Sequence, residues 1–183
     1  MRNETMFAGF GGQGIVKAAL LLTQAAGLYE KKEVAQTQSY GPEARGGACK
    51  SEVVLSSDEI AYIKTSRLDA LVVMSQPALD KYCGQVLAES TMVIYDSTLV
   101  EEIPVNFKHT IGIAATSIAE QEFGRSLFAN IIMLGALAGA TGIVGFEALS
   151  LALEGNVPPK TLETNRKALK RGFECAKSPA CQG

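Results

Sequence analysis

The sequence predicts an α/β fold: a single domain over residues 1–183, with a largely parallel sheet, helices on both faces and a helical C-terminal third. Two observations support this prediction. Short β-branched apolar runs alternate with helical patterns through the first two thirds of the chain, and residues 116–177 show helical patterns alone. A chain of 183 residues with 47% hydrophobic residues is also long enough to bury a sizeable core.

The individual elements follow from local patterns. Strands are predicted at residues 5–9, 33–36, 49–56, 70–74, 91–95 and 110–114. Residues 13–28 are rich in alanine and leucine at helical spacing and predict the first helix. Proline favours the first turn of a helix, so further helices are expected to begin near Pro77 and at Pro158-Pro159.

The net charge and the N-terminal residues limit which class of protein the chain can belong to. Seventeen basic and nineteen acidic residues give a net charge of −2, and no dense block of lysine or arginine is present, so no nucleic-acid partner is expected. The start Met1-Arg2-Asn3-Glu4-Thr5 lacks the features of a signal peptide, which predicts a cytoplasmic protein.

Residues 126–146 carry no charge and are long enough to cross a bilayer. Asn130, four glycines and a Thr141-Gly142 step typical of a helix end favour a buried helix instead, so no membrane association is expected. Gly135 and Gly139 form a flat ridge that a second helix can approach closely, within this fold or across a subunit interface.

The cysteines and the single histidine give no sign of a metal or catalytic site. Cys49, Cys83, Cys175 and Cys181 are scattered without C-x-x-C spacing, so reduced thiols and no bound metal are expected. His109, the only histidine, begins an apolar run and is predicted to lie at a strand edge. No catalytic residue is therefore predicted on this chain.

The first candidate binding motif is Gly9-Phe10-Gly11-Gly12-Gln13-Gly14, which matches G-x-G-x-x-G between a predicted strand and a predicted helix. We expect Gly9, Gly11, Gly12 and Gly14 to bring backbone N–H groups against an anion or cofactor, with Gln13 adding a side-chain donor. The alternative is that the glycines only allow tight packing. A nicotinamide dinucleotide site also needs an acid at the end of the second strand, where only Glu33, at its start, is present.

The second candidate motif is a turn-rich segment at the end of the second predicted strand. Arg45 offers a planar fork for a carboxylate or phosphate, although a solvated turn is the alternative. Loops at the carboxyl ends of parallel strands meet in one crevice, so this segment and the glycine motif are expected to face the same ligand or subunit. Its candidate residues are Tyr40, Gly41, Pro42, Glu43, Arg45, Gly46 and Gly47.

Together these segments resemble the gamma subunit of 2-oxoacid:ferredoxin oxidoreductases. The resemblance continues in three further segments and so covers nearly the whole chain: Asp69-Ala70-Leu71-Val72-Val73-Met74-Ser75-Gln76, Asn130-Ile131-Ile132-Met133-Leu134-Gly135 and Asn165-Arg166-Lys167-Ala168-Leu169. Tyr-Gly-Pro-Glu followed by Arg-Gly-Gly is more similar to the 2-oxoglutarate and branched-chain members than to the pyruvate type, and we favour 2-oxoglutarate.

The resemblance implies CoA-dependent oxidative decarboxylation of a 2-oxoacid to an acyl-CoA (succinyl-CoA), carbon dioxide and reduced ferredoxin. It implies thiamine diphosphate and magnesium on alpha and beta subunits, and iron–sulfur clusters on beta and a ferredoxin-like chain. This chain would bind no cofactor alone, and would support assembly and CoA access. Two alternatives remain open: a free-standing Rossmann-like NAD(P)-binding oxidoreductase domain, and a non-catalytic scaffold that docks a partner through residues 126–146.

Overall fold

The computed structural model describes residues 2–39 and 47–178. Six strands in this part of the chain form one sheet, in the order β2-β3-β1-β4-β5-β6. The strands are β1 (Arg2–Phe10), β2 (Glu33–Ser39), β3 (Ala48–Ser56), β4 (Ala70–Val73), β5 (Met92–Asp96) and β6 (His109–Ile113).

Five of these six strands run in the same direction. Strands β1, β4, β5 and β6 pair in parallel, whereas β3 pairs antiparallel with both β1 and β2. The prediction of a largely parallel sheet is confirmed, and so is the strand-edge position of His109, the first residue of the outer strand β6. Strand β3 lies between β1 and β2, so β1 and β2 are not neighbours in the sheet.

Helices cover the sheet on both sides, and the C-terminal third of the described chain is helical, as predicted. The helices are α1 (Ile15–Gln24), α2 (Gln76–Tyr82), α3 (Ala115–Phe123), α4 (Ala129–Thr141), α5 (Phe146–Leu153) and α6 (Leu162–Cys175). A π-helical turn, Ala25–Tyr29, continues α1. Single 3-10 turns precede α4 (Ser126–Phe128) and α6 (Pro159–Thr161).

Alternation along the strands divides the core between the two faces of the sheet. Phe7, Val72 and Ile94 point to the face covered by α1 and α3 to α6. Their neighbours in sequence point to the other face, where Leu79 and Tyr82 of α2 pack against them. Successive residues of a strand point to opposite faces, so strands buried on both sides are apolar at every position.

The uncharged stretch of the sequence forms the buried helix α4, whose residues 129–138 are all buried. It packs on α6 through glycines: a Cβ at Gly135 would overlap the carbonyl oxygen of Leu169, and a Cβ at Gly139 would lie 2.5 Å from the carbonyl oxygen of Phe173. The close approach predicted at these glycines therefore occurs within the fold. Helix α4 ends at Gly142, whose φ of 64° is left-handed.

Within residues 2–39 and 47–178, no helix is both long enough and apolar enough to cross a membrane.

Candidate functional site

The candidate site lies where the sheet changes its direction of winding. From β1 the chain passes through α1 to β2 on one side of the sheet, and from β4 it passes through α2 to β5 on the other side. Strands β1 and β4 are parallel neighbours, so a crevice opens between their carboxyl ends. Ligands of open α/β sheets bind in such crevices, and here the crevice contains residues 9–14, the glycine loop.

The four glycines of the glycine loop have two different surroundings. A Cβ at Gly9 would overlap the Gln13 side chain and lie 2.7 Å from Ile15 Cδ1, and a Cβ at Gly14 would overlap Asn130. Gly11 and Gly12, by contrast, are exposed, and no atom of the described residues lies within 4 Å of such a Cβ. Packing therefore explains Gly9 and Gly14, while Gly11 and Gly12 leave bare backbone open to an incoming group.

The Gln13 side chain makes two hydrogen bonds that hold the glycine loop. Its Oε1 accepts a hydrogen bond from the Phe10 N–H at 2.9 Å, and its Nε2 donates to the Met74 carbonyl oxygen at 2.7 Å. Met74 accepts one of the two Nε2 protons, so the expectation that Gln13 supplies a donor to a ligand at the helix start stays a prediction. Gln13 ties the ends of β1 and β4 together and so fixes the shape of the crevice.

Asn130, the second residue of α4, supports the loop from the opposite side. Its Nδ2 donates to the Gly14 carbonyl oxygen at 3.1 Å, and the residue is 5% exposed. Its Oδ1 is buried and has no partner in the described part of the chain. The sequence carried a signal for this role, a polar residue inside an uncharged apolar run, but that signal does not show which distant carbonyl the amide contacts.

Two clefts open beside the glycine loop. The loop cleft, of about 420 Å³, is lined by Phe10, Gly11, Gly12, Lys17 and Cys49, among others. A second cleft, of about 280 Å³, lies on the Gln13 side and also includes residues at the start of α3. Phe10 is 41% exposed at the border of both clefts, so the rim of the site is partly apolar.

The second predicted motif lies mostly outside the described residues: Tyr40, Gly41, Pro42, Glu43, Arg45 and Gly46 are not described, and Gly47 directly precedes β3. The flanks of this segment are described. Ser39 ends β2 opposite Lys50, and Ala48 begins β3 opposite Phe10. The chain therefore leaves and re-enters the sheet at the same end as the glycine loop.

The wall of the loop cleft near β3 is uncharged. Burial raises the pKa of the Cys49 thiol, so the thiol stays protonated at neutral pH. Burial, and then the neighbouring Cys49 and Glu52, raise the pKa of Tyr82, whose Oη donates to the Ala48 carbonyl oxygen at 3.3 Å. Among the described residues that line this cleft, Lys17 is the one charged residue, and its Nζ donates to Asn156 Oδ1 at 3.3 Å.

The requirements of a nicotinamide dinucleotide site are not met here. Strand β2 ends in Gln36-Thr37-Gln38-Ser39, without an acid. Antiparallel β3 also separates β2 from β1, whereas the dinucleotide-binding fold places the second strand directly beside the first. A carboxylate at the end of β2 would therefore lie one strand farther from the glycine loop than that fold requires.

In the part of the chain that the structure describes, no group of three or more histidine, cysteine, aspartate or glutamate residues could hold a metal ion.

Comparison with known proteins identifies the family. The family model described as pyruvate ferredoxin/flavodoxin oxidoreductase matches residues 4–175. The chain belongs to this family. A Methanocaldococcus jannaschii protein, 2-oxoglutarate synthase subunit KorC, is 46% identical over 179 residues, which cover 97% of this chain and 95% of that subunit.

Two further proteins are similar to this chain at lower sequence identity. Ketoisovalerate oxidoreductase subunit VorA of Methanothermobacter marburgensis is 34% identical over 176 residues, covering 93% of this chain and 36% of VorA. The crystal structure of a keto/oxoacid ferredoxin oxidoreductase gamma subunit from Geobacter sulfurreducens is 38% identical, with a TM-score of 0.89, and the match covers 100% of this chain and 99% of that one. The expected gamma subunit of a 2-oxoacid:ferredoxin oxidoreductase is thereby confirmed, in preference to the two alternatives.

Proposed function

We propose that this chain is the gamma subunit of a 2-oxoglutarate:ferredoxin oxidoreductase. That enzyme converts 2-oxoglutarate and CoA to succinyl-CoA and carbon dioxide and passes two electrons to ferredoxin. The observation that carries the substrate assignment is the 46% identity to a 2-oxoglutarate synthase subunit over nearly the full length of both chains, against 34% for a ketoisovalerate enzyme.

The redox chemistry is assigned to partner chains. The described residues of this chain offer no group suited to a metal ion. Following the resemblance to the family, we place thiamine diphosphate and magnesium on alpha and beta subunits, and iron–sulfur clusters on beta and a ferredoxin-like chain, in a complex that we expect in the cytoplasm. Thiamine diphosphate supplies carbanion stabilisation at the 2-oxoacid carbon.

This chain contributes a surface for CoA. Gly11 and Gly12 leave backbone open beside the start of α1, where the helix dipole favours an anionic group. Gly9, Gln13 and Gly14 hold that backbone in shape, as their contacts indicate. Residues 40–47, with Arg45 as the cation, connect strand ends at the same edge of the sheet and complete the proposed site.

The docking surface that the scaffold alternative requires is largely buried. It depended on residues 126–146 as an apolar patch for a partner, whereas residues 129–138 of α4 are buried between the sheet and α6. The glycine loop therefore remains the proposed ligand site in the part of the chain that the structure describes.

The substrate assignment is tested with the assembled complex. We expect ferredoxin reduction with 2-oxoglutarate to have a kcat/KM at least about 100-fold higher than with pyruvate or 2-oxoisovalerate, because only 2-oxoglutarate carries a second carboxylate to be paired. A complex that prefers pyruvate or 2-oxoisovalerate would refute the assignment.

The proposed CoA surface is tested with Arg45→Ala in the same complex. We expect the KM for CoA to rise about tenfold or more, while the KM for 2-oxoglutarate is unchanged. The matched control is Arg67→Ala, an exposed arginine shortly before the amino end of β4, at the opposite end of the sheet. An unchanged KM for CoA in a fully assembled Arg45→Ala complex would remove this surface from the proposal.

A further inference from the structure

The two clefts beside the glycine loop share a border but differ in charge. Phe10 and Gly12 line both clefts, so the loop cleft and the second cleft open on either side of the same exposed backbone. Among the described residues, Lys17 is the one charged residue of the loop cleft, and Glu120 is the one charged residue of the second cleft. A ligand anchored at Gly11 and Gly12 can therefore extend in two directions that have opposite charge.

The second cleft is unsuited to a phosphate group. Its walls are mostly apolar: Phe10 and Leu127 are 41% and 59% exposed at the rim, and Met74 and Leu99 also line it. Glu120, on α3, gives the cleft a negative charge, and no lysine or arginine of the described residues lines the cleft to compensate that charge. Like charges repel, so an anionic group is disfavoured there and an uncharged chain is favoured.

The polar groups of the second cleft suit amides. Met74 accepts one of the two Nε2 protons of Gln13, which leaves the other for a ligand carbonyl. The Thr116 hydroxyl donates to Asp96 Oδ2 at 2.6 Å and keeps its lone pairs for an N–H donor. Ser126 adds an exposed hydroxyl. Together these side chains offer hydrogen bonds to both the carbonyl and the N–H groups of an uncharged chain.

The loop cleft has the opposite character. Lys17 donates from Nζ to Asn156 Oδ1 at 3.3 Å, and because Asn156 is neutral the positive charge is retained. No acidic residue in the described part of the chain lines this cleft. Ile15, Val16 and Leu20 add aliphatic walls, against which a flat heteroaromatic ring packs well. An anionic group attached to such a ring is therefore favoured on this side of the loop.

The two ends of CoA match these two clefts. On one side of its pyrophosphate lies adenosine with a 3′-phosphate, and on the other lies the uncharged pantetheine arm with its amide groups and thiol. We infer that CoA crosses the glycine loop in one orientation: pyrophosphate at Gly11 and Gly12, adenosine 3′-phosphate in the loop cleft near Lys17, and pantetheine in the second cleft. This inference rests on the proposed function, because it orients the CoA that is placed there.

The 3′-phosphate end is tested with the KM values of the assembled complex for CoA and for dephospho-CoA, which lacks that phosphate. We expect the KM for dephospho-CoA to be about tenfold or more higher in the unmodified complex. Lys17→Met should raise the KM for CoA about tenfold without raising that for dephospho-CoA, so the two values converge. The control Lys64→Met, an exposed lysine beside the start of β1 at the opposite end of the sheet, should keep the ratio. Equal KM values in the unmodified complex, or a Lys17→Met complex that keeps the ratio, would overturn the orientation.

The pantetheine end is tested at Leu127. Leu127→Trp fills the second cleft and should raise the KM values for CoA and dephospho-CoA together, about tenfold each, so that their ratio is preserved. Leu127→Ala only shortens an exposed side chain and should raise both values about threefold, which keeps the test open if the tryptophan prevents assembly. The control is Leu28→Ala, an exposed leucine in the π-helical turn. Unchanged KM values in both Leu127 variants, or an effect on CoA alone, would overturn the orientation.

Failure of the orientation is distinguishable from failure of the proposed function. An unchanged KM for CoA in Arg45→Ala would remove the CoA surface itself, and a preference for another 2-oxoacid would refute the substrate assignment. If both of those results agree with the proposed function while the Lys17 or Leu127 variants behave otherwise than expected, the orientation alone is refuted.

Discussion

The Gln13 side chain donates a hydrogen bond from Nε2 to the carbonyl oxygen of Met74 at 2.7 Å, across 61 residues of sequence. Met74 directly follows β4, and Gln13 follows β1, so this bond joins the two strand ends on which the crevice is built. The same amide accepts from the Phe10 N–H at 2.9 Å. The glycine loop is therefore held in one shape before any ligand arrives, which lowers the cost of ordering it on binding.

Loss of the Gln13 amide should loosen the loop. Gln13→Ala leaves the Phe10 N–H and the Met74 carbonyl without their partner, and we expect the free energy of unfolding to fall by about 1–3 kcal/mol. Gln13→Glu should also be destabilising, because a carboxylate cannot donate to Met74. Urea denaturation of the purified chain measures both, with Gln121→Ala as control, since Gln121 is exposed and its one partner among the described residues is Ser117, one turn away. Equal free energies of unfolding for Gln13→Ala and the unmodified chain would show that the Gln13 hydrogen bonds do not stabilise the loop.

Gly14 should be intolerant of any side chain. Its φ is 77°, and a Cβ there would overlap the Asn130 amide, so we expect Gly14→Ala to lower the free energy of unfolding by about 2 kcal/mol or more. The control is Gly11→Ala, whose Cβ meets no atom of the described residues within 4 Å and which should change stability by less than about 0.5 kcal/mol.

A double-mutant cycle separates the two causes at Gly14. Adding Asn130→Ala to Gly14→Ala removes the overlap and leaves the backbone strain, so the combined loss should be about 1 kcal/mol smaller than the sum of the single losses. Strict additivity of the two losses would show that Asn130 does not touch this position.

Much of the fold was predictable because each strand carries its own apolar signal. All six predicted strands are present, and residues 49–56, for example, correspond to β3 (Ala48–Ser56). The order of the strands was not predictable, because hydrophobic alternation does not reveal which strands are neighbours. The insertion of antiparallel β3 between β1 and β2 therefore became known only from the structure.

The candidate site was only partly predictable for a similar reason. The spacing of the glycines in the glycine loop is enough to predict a strand-to-helix turn. The partners of Gln13 and Asn130 lie 61 and 116 residues away in sequence, and a lone amide gives no sign of which distant carbonyl it meets. Residues that contact a site from distant positions in the sequence are thus the part of the site that a single sequence does not predict.

The crossing of α4 and α6 should tolerate no added methyl group. A Cβ at Gly172 would overlap the Ile132 carbonyl oxygen, so Gly172→Ala should cost about 3 kcal/mol of unfolding free energy, although alanine is the better helix former. The matched control is Gly84→Ala, in the 3-10 turn Cys83–Gln85, which meets no atom within 4 Å and should be neutral within about 0.5 kcal/mol. Thermal unfolding of the two variants provides the comparison, and a stabilised Gly172→Ala would contradict the packing described.

Stability should depend on the ionisation of Glu4. Burial by itself would raise the pKa of this carboxyl, but the Arg67 N–H, the Arg2 guanidinium and the Ser66 N–H together hold its pKa below the ordinary value. A lowered pKa in the folded state means that the stabilisation is full above the ordinary pKa of a glutamate and is lost as the pH falls through the lowered value.

The variant Glu4→Gln tests this dependence. We expect it to be less stable than the unmodified chain by about 1–3 kcal/mol at neutral pH, with the difference shrinking at about pH 3. The control Glu89→Gln removes an exposed carboxylate that pairs with Lys108 at 2.6 Å and should cost less than about 1 kcal/mol. A Glu4→Gln deficit that is the same at both pH values would show that the charge of Glu4 is not the cause.

In the proposed complex, this chain contributes a preformed glycine-loop surface to an enzyme whose redox centres lie on other chains. The most direct measurement is 2-oxoglutarate- and CoA-dependent reduction of ferredoxin by the partner chains, with this chain present, absent, or alone. We predict full activity only when it is present and none from the chain alone. Turnover by the isolated chain, or an unchanged rate when it is left out, would contradict the account.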